Sequence, residues 1–138
     1  MGKILGIDFG ETRIGLALSS DDGQFVFPFQ TVQNVGSEES MAIIGGICKK
    51  EGVESIVVGL PLDQHGKMGE KATVVKEWAD RLSRITGIRI DYEDERFTTA
   101  LASSIKKQAG WSVKKTRQTI DQTAASMILQ TFLDKRHG

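Results

Sequence analysis

Acidic residues from three distant parts of the chain are the side chains best suited to chemistry. Asp8 ends an apolar run, an acidic cluster at 93–95 follows another, and Asp121 precedes a row of small residues near the C-terminus. A carboxylate at the end of a buried strand is costly, so Asp8 needs a cation, a metal or several hydrogen-bond donors beside it. Mg²⁺ and Mn²⁺ prefer oxygen ligands and would relieve the repulsion between such acids. The predicted chemistry is therefore phosphodiester hydrolysis assisted by two such ions.

Other common catalytic sites are not supported by the residues present. One cysteine and two histidines are too few and too poorly placed for a zinc site. No Gly-rich loop ends in Lys-Ser or Lys-Thr, which argues against a P-loop enzyme. Cys48 stands among isoleucines and is predicted to lie in the core, and His65 is predicted to be a polar surface residue of a loop.

The apolar runs predict strands and helices that would bring the acids together. Two runs flanking a turn at 10–12 predict a β-hairpin, and a third strand at 25–32 carries Pro28 at an irregular edge position. The unbroken apolar run at 55–60 is typical of a central strand that is covered on both faces. The remaining predicted elements are helices beginning at 37 and ending at 52, at 69–85, at 98–108 and at 113–133, and a strand at 88–92. Ser37 is the predicted cap of the first helix, and the predicted buried faces include Ile43 and Ile44 in that helix and Val74 and Val75 in the second.

Strands that alternate with helices predict an α/β sheet with parallel neighbours, joined by right-handed crossovers, beside the antiparallel hairpin. The C-terminal ends of parallel strands meet at one edge of such a sheet, where ligands bind. Asp8 and the acidic cluster both lie at such ends. The small residues after Asp121 would let the last helix pack closely on the sheet, so we expect the carboxylates to meet.

Length and composition predict a single domain over residues 1–138 with a substantial core. The chain has 18 basic and 18 acidic residues, so its overall charge indicates neither a nucleic-acid nor a membrane partner. It shows no signal-peptide pattern and no apolar run near the roughly 20 residues of a membrane span. We therefore expect a cytoplasmic protein without a membrane partner.

A local charge imbalance is hidden by the neutral total. Between Arg96 and Ile120 there are six basic residues and no acid. This segment predicts a track for a phosphate backbone, although a solvated helix face is the alternative. Arg13 is a further candidate for a phosphate contact, or it flanks the hairpin turn. The predicted nucleic-acid contacts are Arg13, Arg96, Lys106, Lys107, Lys114, Lys115 and Arg117.

Four motifs, in order along the chain, resemble those of the YqgF/RuvX family, which is similar to the Holliday-junction resolvase RuvC. They are GIDFGETRIGLAL, VVGLPLDQHG, EDERFTT and IDQTAA, and the resemblance covers nearly the whole chain. It implies a ribonuclease H-like α/β fold with a five-stranded mixed sheet, antiparallel in its first three strands and parallel in the later ones. It also implies that Asp8, Glu95 and Asp121 are the catalytic acids and hold Mg²⁺ or Mn²⁺, with two ions when substrate is bound.

The activity that the resemblance implies is a metal-dependent nuclease that matures the 5′ end of precursor 16S rRNA. The chain departs from the wider ribonuclease H pattern at its fourth strand, which ends in Gly59-Leu60-Pro61 rather than in an acid. The resemblance implies that Glu95, on the next strand, takes that place. Thr12 and the pair Gln64-His65 also differ from common family residues, and both lie in loops that could contact substrate.

Several alternatives stay open. Asp8 would merely cap the hairpin turn, Glu93 would be a solvated strand end paired with Arg96, and Asp121 would be a surface acid near Arg117. A second alternative is that the substrate is branched DNA rather than rRNA, cut by a monomer or by a homodimer that supplies two sites. A third alternative is that the chain binds nucleic acid without turnover. The first motif alone also resembles the first phosphate loop of sugar kinases and actin.

Overall fold

The computed structural model describes residues 2–95 and the helix at 113–137, with the side chains of 113–120 and 137 excepted. The elements are β1 (Lys3–Phe9), β2 (Arg13–Ser19), β3 (Val26–Gln33), α1 (Ser37–Glu51), β4 (Val53–Leu60), α2 (Glu70–Thr86), β5 (Arg89–Asp94) and α3 (Val113–His137). The helix predicted at 98–108 lies outside the described residues. No helix in the described part is long and apolar enough to cross a membrane.

One five-stranded mixed sheet organises these elements, in the order β3-β2-β1-β4-β5. β1 pairs antiparallel with β2 and β2 antiparallel with β3, whereas β4 runs parallel to both β1 and β5. This arrangement confirms the predicted sheet. Because β1 and β5 flank β4 with the same direction, their C-terminal ends lie at one edge, two strands apart.

Helices cover both faces of the sheet. α1 and α2 pack on the face that carries Leu5, Ile7 and Ile56, while α3 packs on the face that carries Ala17 and Val57. Residues 56–58 of β4 are fully buried on alternating sides, as the unbroken apolar run predicts. Cys48 is buried in the first cluster, as predicted.

Two details of the helices differ from the prediction: the N-cap of α1, and the residues that α1 and α2 bury. Gly36, not Ser37, occupies the N-cap of α1, and no side chain caps that helix. Ile43 and Val74 were expected on the buried faces, but they are 44% and 51% exposed while Ile44 and Val75 are buried. Consecutive helical residues point about 100° apart, so only one of each pair faces the sheet.

Glycines on one face of the sheet let α3 lie unusually close to the strands. A Cβ on Gly6 would lie 2.9 Å from both the Ala125 carbonyl oxygen and Leu129 Cβ. A Cβ on Gly15 would overlap the Asp121 carbonyl oxygen and lie 2.8 Å from Asp121 Cβ. The helix backbone thus occupies the space that side chains on these strands would fill, and it carries Asp121 directly over β2.

Candidate active site

Asp8 and Glu95 meet at the edge of the sheet where β1 and β5 end. Their carboxyl groups are hydrogen-bonded to each other although β4 lies between their strands. The Glu95 amide donates to the Leu60 carbonyl at 3.3 Å, which ties the chain after β5 to the end of β4. Gly59 leaves the room: a Cβ there would lie 2.8 Å from Glu95 Oε2. Glu95 therefore reaches across β4 over a glycine.

Both carboxyl groups are in an environment that disfavours their charge. Burial is the main cause of the raised pKa of Asp8, and the charge of Asp121 adds to it, while the hydrogen bond from Glu95 opposes it. The pKa of Glu95 is raised by burial and then by the adjacent Asp8 and Asp94 charges, so Glu95 is the proton donor of the pair. Glu95 Oε2 is buried with no hydrogen-bond partner. A buried oxygen without a partner is costly and is suited to a cation.

Asp121 lies beside this pair but is engaged by a cation of its own. Gly15 is the partner of Asp8 in the β1–β2 register, and the backbone of Asp121 packs on Gly15. The Asp121 carboxylate accepts a hydrogen bond from Arg13 Nε at 2.7 Å. Burial raises the pKa of Asp121 and Arg13 counteracts that rise. Among the described side chains, Arg13 is therefore the cation that pairs with Asp121. The side chain of Arg117, the partner considered from the sequence, is not among those described.

The donor set fits a hard divalent cation, but it is only partly assembled. Within the residues described, no three His, Cys, Asp or Glu side chains stand together as a metal-holding group. Two carboxyl groups in contact, one with an oxygen that lacks a partner, offer the oxygen ligands that Mg²⁺ and Mn²⁺ prefer. Asp121 is near enough for its charge to raise the pKa of Asp8, but its carboxylate is held by Arg13. The three predicted acids are thus neighbours, and two of them are in contact.

A cleft of about 580 Å³ opens beside the acids. It is bounded by the β1–β2 turn, Pro61 and the first two turns of α2, and both Asp8 and Asp121 line it. Arg13 and Lys71 are the cations among its described lining residues. Lys71 was not singled out from the sequence, although its position at the start of a helix that follows a strand-end loop was a usable signal, because helix N-termini favour anions.

The other predicted contacts have mixed outcomes. Arg96, Lys106 and Lys107 lie outside the described residues, and Lys114, Lys115 and Arg117 lie in α3 with side chains that are not described. The alternative that made Glu93 a solvated strand end is wrong, and Arg96, its expected partner, lies outside the described residues. Glu93 is 6% exposed and forms an ion pair with Lys135 of α3, because β5 is covered by that helix on the side to which Glu93 points. His65 is exposed in its loop, as expected.

The acid pair predicts how the stability of the metal-free protein varies with pH. The pKa of Asp8 is raised from 3.8 to about 6 and that of Glu95 from 4.5 to about 10, so the folded state holds these protons more tightly than the unfolded state. Their contribution to stability is complete below about pH 4 and is lost as pH rises through the folded values. In EDTA we therefore expect the Tm to fall from about pH 4 to about pH 10.

Glu95→Gln should flatten this decline, because glutamine keeps the shape and has no proton to lose. Asp21→Asn, which alters an exposed acid in the turn before β3, should leave the slope as in the wild type. A slope that is unchanged in Glu95→Gln would show that the acid pair does not control the pH dependence.

The chain is similar to known proteins over nearly its whole length. The model of the family described as "RuvX: Holliday junction resolvase" matches residues 2–135. Relatives from Chloroflexus aurantiacus, Anaeromyxobacter sp. and Anaplasma marginale are 39%, 37% and 36% identical. The alignments cover 98%, 99% and 99% of this chain and 88%, 99% and 87% of the relatives. Each relative carries the name "Putative pre-16S rRNA nuclease".

Two solved structures share the fold at low sequence identity. RuvC of T. thermophilus in complex with a Holliday junction substrate has a TM-score of 0.61 at 12% identity, covering 99% of this chain and 97% of that one. The Fowlpox virus resolvase in complex with Holliday junction DNA has a TM-score of 0.63 at 8% identity, covering 99% of both chains. These likenesses confirm the predicted ribonuclease H-like fold.

Proposed function

This chain belongs to the RuvX family, and on that basis we propose that it is a divalent-metal-dependent endonuclease that processes the 5′ end of precursor 16S rRNA. Nuclease activity is the common element of the family description and the names of the relatives. The rRNA substrate comes from those relatives' names, and with it we propose the cytoplasm as the compartment. The observation that carries the proposal is the buried contact between Asp8 and Glu95 at the strand ends.

Asp8 and Glu95 are the residues we propose as metal ligands, with Asp121 as the third. Mg²⁺ or Mn²⁺ held there, as two ions when substrate is bound, would supply a lowered pKa for the attacking water and stabilise charge on the leaving oxygen. Arg13 and Lys71 line the same cleft and would hold the phosphates on either side of the cut. Glu95 is buried behind Asp8, which lines the cleft, so bulk water has little access to the Glu95 oxygens.

The direct test uses a labelled precursor 16S rRNA fragment and a four-way DNA junction, each incubated with Mg²⁺, Mn²⁺ or EDTA. We expect the RNA to be cut at its 5′ side with either metal and to remain intact in EDTA. Cleavage of neither substrate, with retained binding of both, would replace the proposal with a module that binds nucleic acid without turnover.

Cleavage of branched DNA is the second candidate function, and the family description as a Holliday junction resolvase favours it. It would appear in the same assay as cutting of the junction alone. Symmetric cutting of two strands calls for two sites and hence a homodimer, whereas a monomer suffices for the RNA substrate. Sedimentation of the protein with and without the junction distinguishes these two states.

The ion pair between Arg13 and Asp121 predicts that removing Arg13 will strengthen metal binding and weaken RNA binding. Arg13→Gln frees the Asp121 carboxylate and removes a cation from the cleft, so Mn²⁺ should bind the RNA-free protein about three- to tenfold more tightly. The same change removes a phosphate contact, so RNA binding in EDTA should weaken by a similar factor. Calorimetry with Mn²⁺ and fluorescence anisotropy with labelled RNA measure the two affinities.

Arg81→Gln is the matched control, because Arg81 pairs with Glu38 on the surface and does not line the cleft. Both of its affinities should equal those of the wild type. If Arg13→Gln weakened Mn²⁺ and RNA binding together, Arg13 would be supporting the site's structure rather than competing for Asp121.

A further inference from the structure

The edge strand β3 and the residue immediately before it carry a row of exposed aromatic side chains that the proposed nuclease site does not use. Phe25, Phe27 and Phe29 are 63%, 54% and 37% exposed. We call them the β3 strip. Phe27 is the register partner of Leu18, so it lies on the sheet face that α1 and α2 cover farther in. Exposed apolar side chains on an edge strand favour aggregation unless something covers them.

The helices leave this part of the face open because they cover the other end of the strand. Val32, near the C-terminal end of β3, packs in the core cluster that includes Met41 and Ile44 of α1. Phe25 and Phe27 lie at the opposite end of β3 and are not members of that cluster. The strip is therefore a continuation of the core face without a covering helix among the described residues.

The chain segment that contains the strip carries acidic residues and no basic ones. Residues 14–48 contain four acids, Asp21, Asp22, Glu38 and Glu39, and no Lys, Arg or His. The first two lie in the turn that the Ser20 and Phe25 backbones close at 2.9 Å, and the other two lie in the first turn of α1. Glu38 meets Arg81 at 3.2 Å, with both side chains well exposed. Acids thus precede and follow β3 in the chain, and the described cations beside its C-terminal end, Arg13 and Arg81, are already paired with Asp121 and Glu38.

These charges decide which kind of partner fits the strip. A phosphate backbone would be repelled by the acids at both ends of the strand. A second copy related by twofold symmetry would place the same acids against each other across the contact. A strand added to the edge would meet Pro28, which has no amide proton, and the irregular register beside Ala17. A polypeptide with apolar and basic side chains meets neither obstacle.

We propose that the β3 strip is a docking surface for a cationic protein segment, whose apolar side chains cover the phenylalanines and whose Lys or Arg side chains face the flanking acids. This inference rests on the proposed function, because it identifies the partner as a protein that is bound to the precursor RNA. The protein would then hold its substrate at two places, with RNA in the cleft and protein at β3.

The test compares purified precursor small-subunit particles with the same precursor RNA stripped of protein. We expect the double variant Phe25→Ser/Phe27→Ser to bind particles at least tenfold more weakly and to bind and cut the stripped RNA as the wild type does. Asp21→Lys/Asp22→Lys should weaken particle binding as well, by an amount that shrinks as salt rises. Ile85→Ser, which alters an exposed apolar residue of α2, should change nothing.

Each other outcome overturns the inference in a distinct way. Equal losses on particles and stripped RNA would make the strip a stacking platform for bases. A wild-type dimer that the double variant dissociates in sedimentation would make it an interface between copies. Unchanged particle binding would show that the strip docks nothing there. Particle binding is measured without turnover, so it remains informative even if the RNA is not cut and the proposed function fails.

Discussion

Asp8→Asn should abolish metal-dependent cleavage, with kcat reduced about a thousandfold, which corresponds to ~4 kcal/mol of transition-state stabilisation. The substitution keeps the side-chain volume and removes the charge that would hold a cation beside Glu95. The fold should survive. Because burial disfavours the Asp8 carboxylate, the uncharged amide should leave the Tm at neutral pH unchanged or higher.

A series of acid-to-amide variants separates the roles of the three acids. Glu95→Gln should lose as much activity as Asp8→Asn, because the two carboxyl groups are in contact. Asp121→Asn should lose less, because the Asp121 carboxylate is engaged by Arg13 rather than by the Asp8–Glu95 pair. Asp21→Asn is the charge-matched control and should retain full activity, since Asp21 lies in an exposed turn outside the cleft.

Single-turnover cleavage of the labelled RNA with Mn²⁺ is the measurement, with RNA binding in EDTA as its companion. Binding by Asp8→Asn should match or exceed that of the wild type, because a negative charge has left the cleft. Cleavage by Asp8→Asn at close to the wild-type rate would refute the assignment of this acid pair as the catalytic centre.

Gly15→Ala should be the most destabilising single-methyl change at the described sheet–helix contacts. The added Cβ would overlap the backbone carbonyl of Asp121, and backbone of a packed helix cannot rotate aside as a side chain does. α3 would have to shift away from β2, exposing the cluster around Ile128 and Leu129. We expect a loss of about 3 kcal/mol or more in unfolding free energy and a Tm lower by about 10 °C.

Gly46→Ala is the matched control for this change. A Cβ at Gly46 meets nothing within 4 Å, and the residue lies inside α1. Alanine there should stabilise the protein by about 1 kcal/mol, because it has the higher helix propensity. Thermal unfolding in EDTA, followed by circular dichroism, compares the two variants with the wild type.

The Gly15 variant also tests how the site is built. Gly15 stands between Asp8 on the neighbouring strand and Asp121 on α3, so a shift of the helix would separate the two acids. Cleavage by any folded fraction should therefore fall too. A Tm equal to that of the wild type would show that α3 does not approach β2 as closely as described.

Local patterns were sufficient to predict most of the fold. The apolar runs, the turn residues and the glycines that end α1 and α2 act over a few residues, so strands and helices were placed to within a few positions. The errors at Ile43 and Val74 arose where two neighbouring apolar residues competed for one buried face. Which of the two is buried depends on the rotation of the helix against the sheet, which the helix's own sequence does not determine.

The sequence by itself determined the order of the elements, the sheet edge at which acids gather and, through the family motifs, the three acids to consider. Only the tertiary structure decided which of those acids meet and what holds them. Arg13 reaches Asp121 across 108 positions of sequence, and Lys135 reaches Glu93 across 42. Gly59 makes room for Glu95 only because β4 lies between β1 and β5. Such pairings form only when segments that are far apart in the sequence pack together, and a local sequence pattern does not specify which segments will meet.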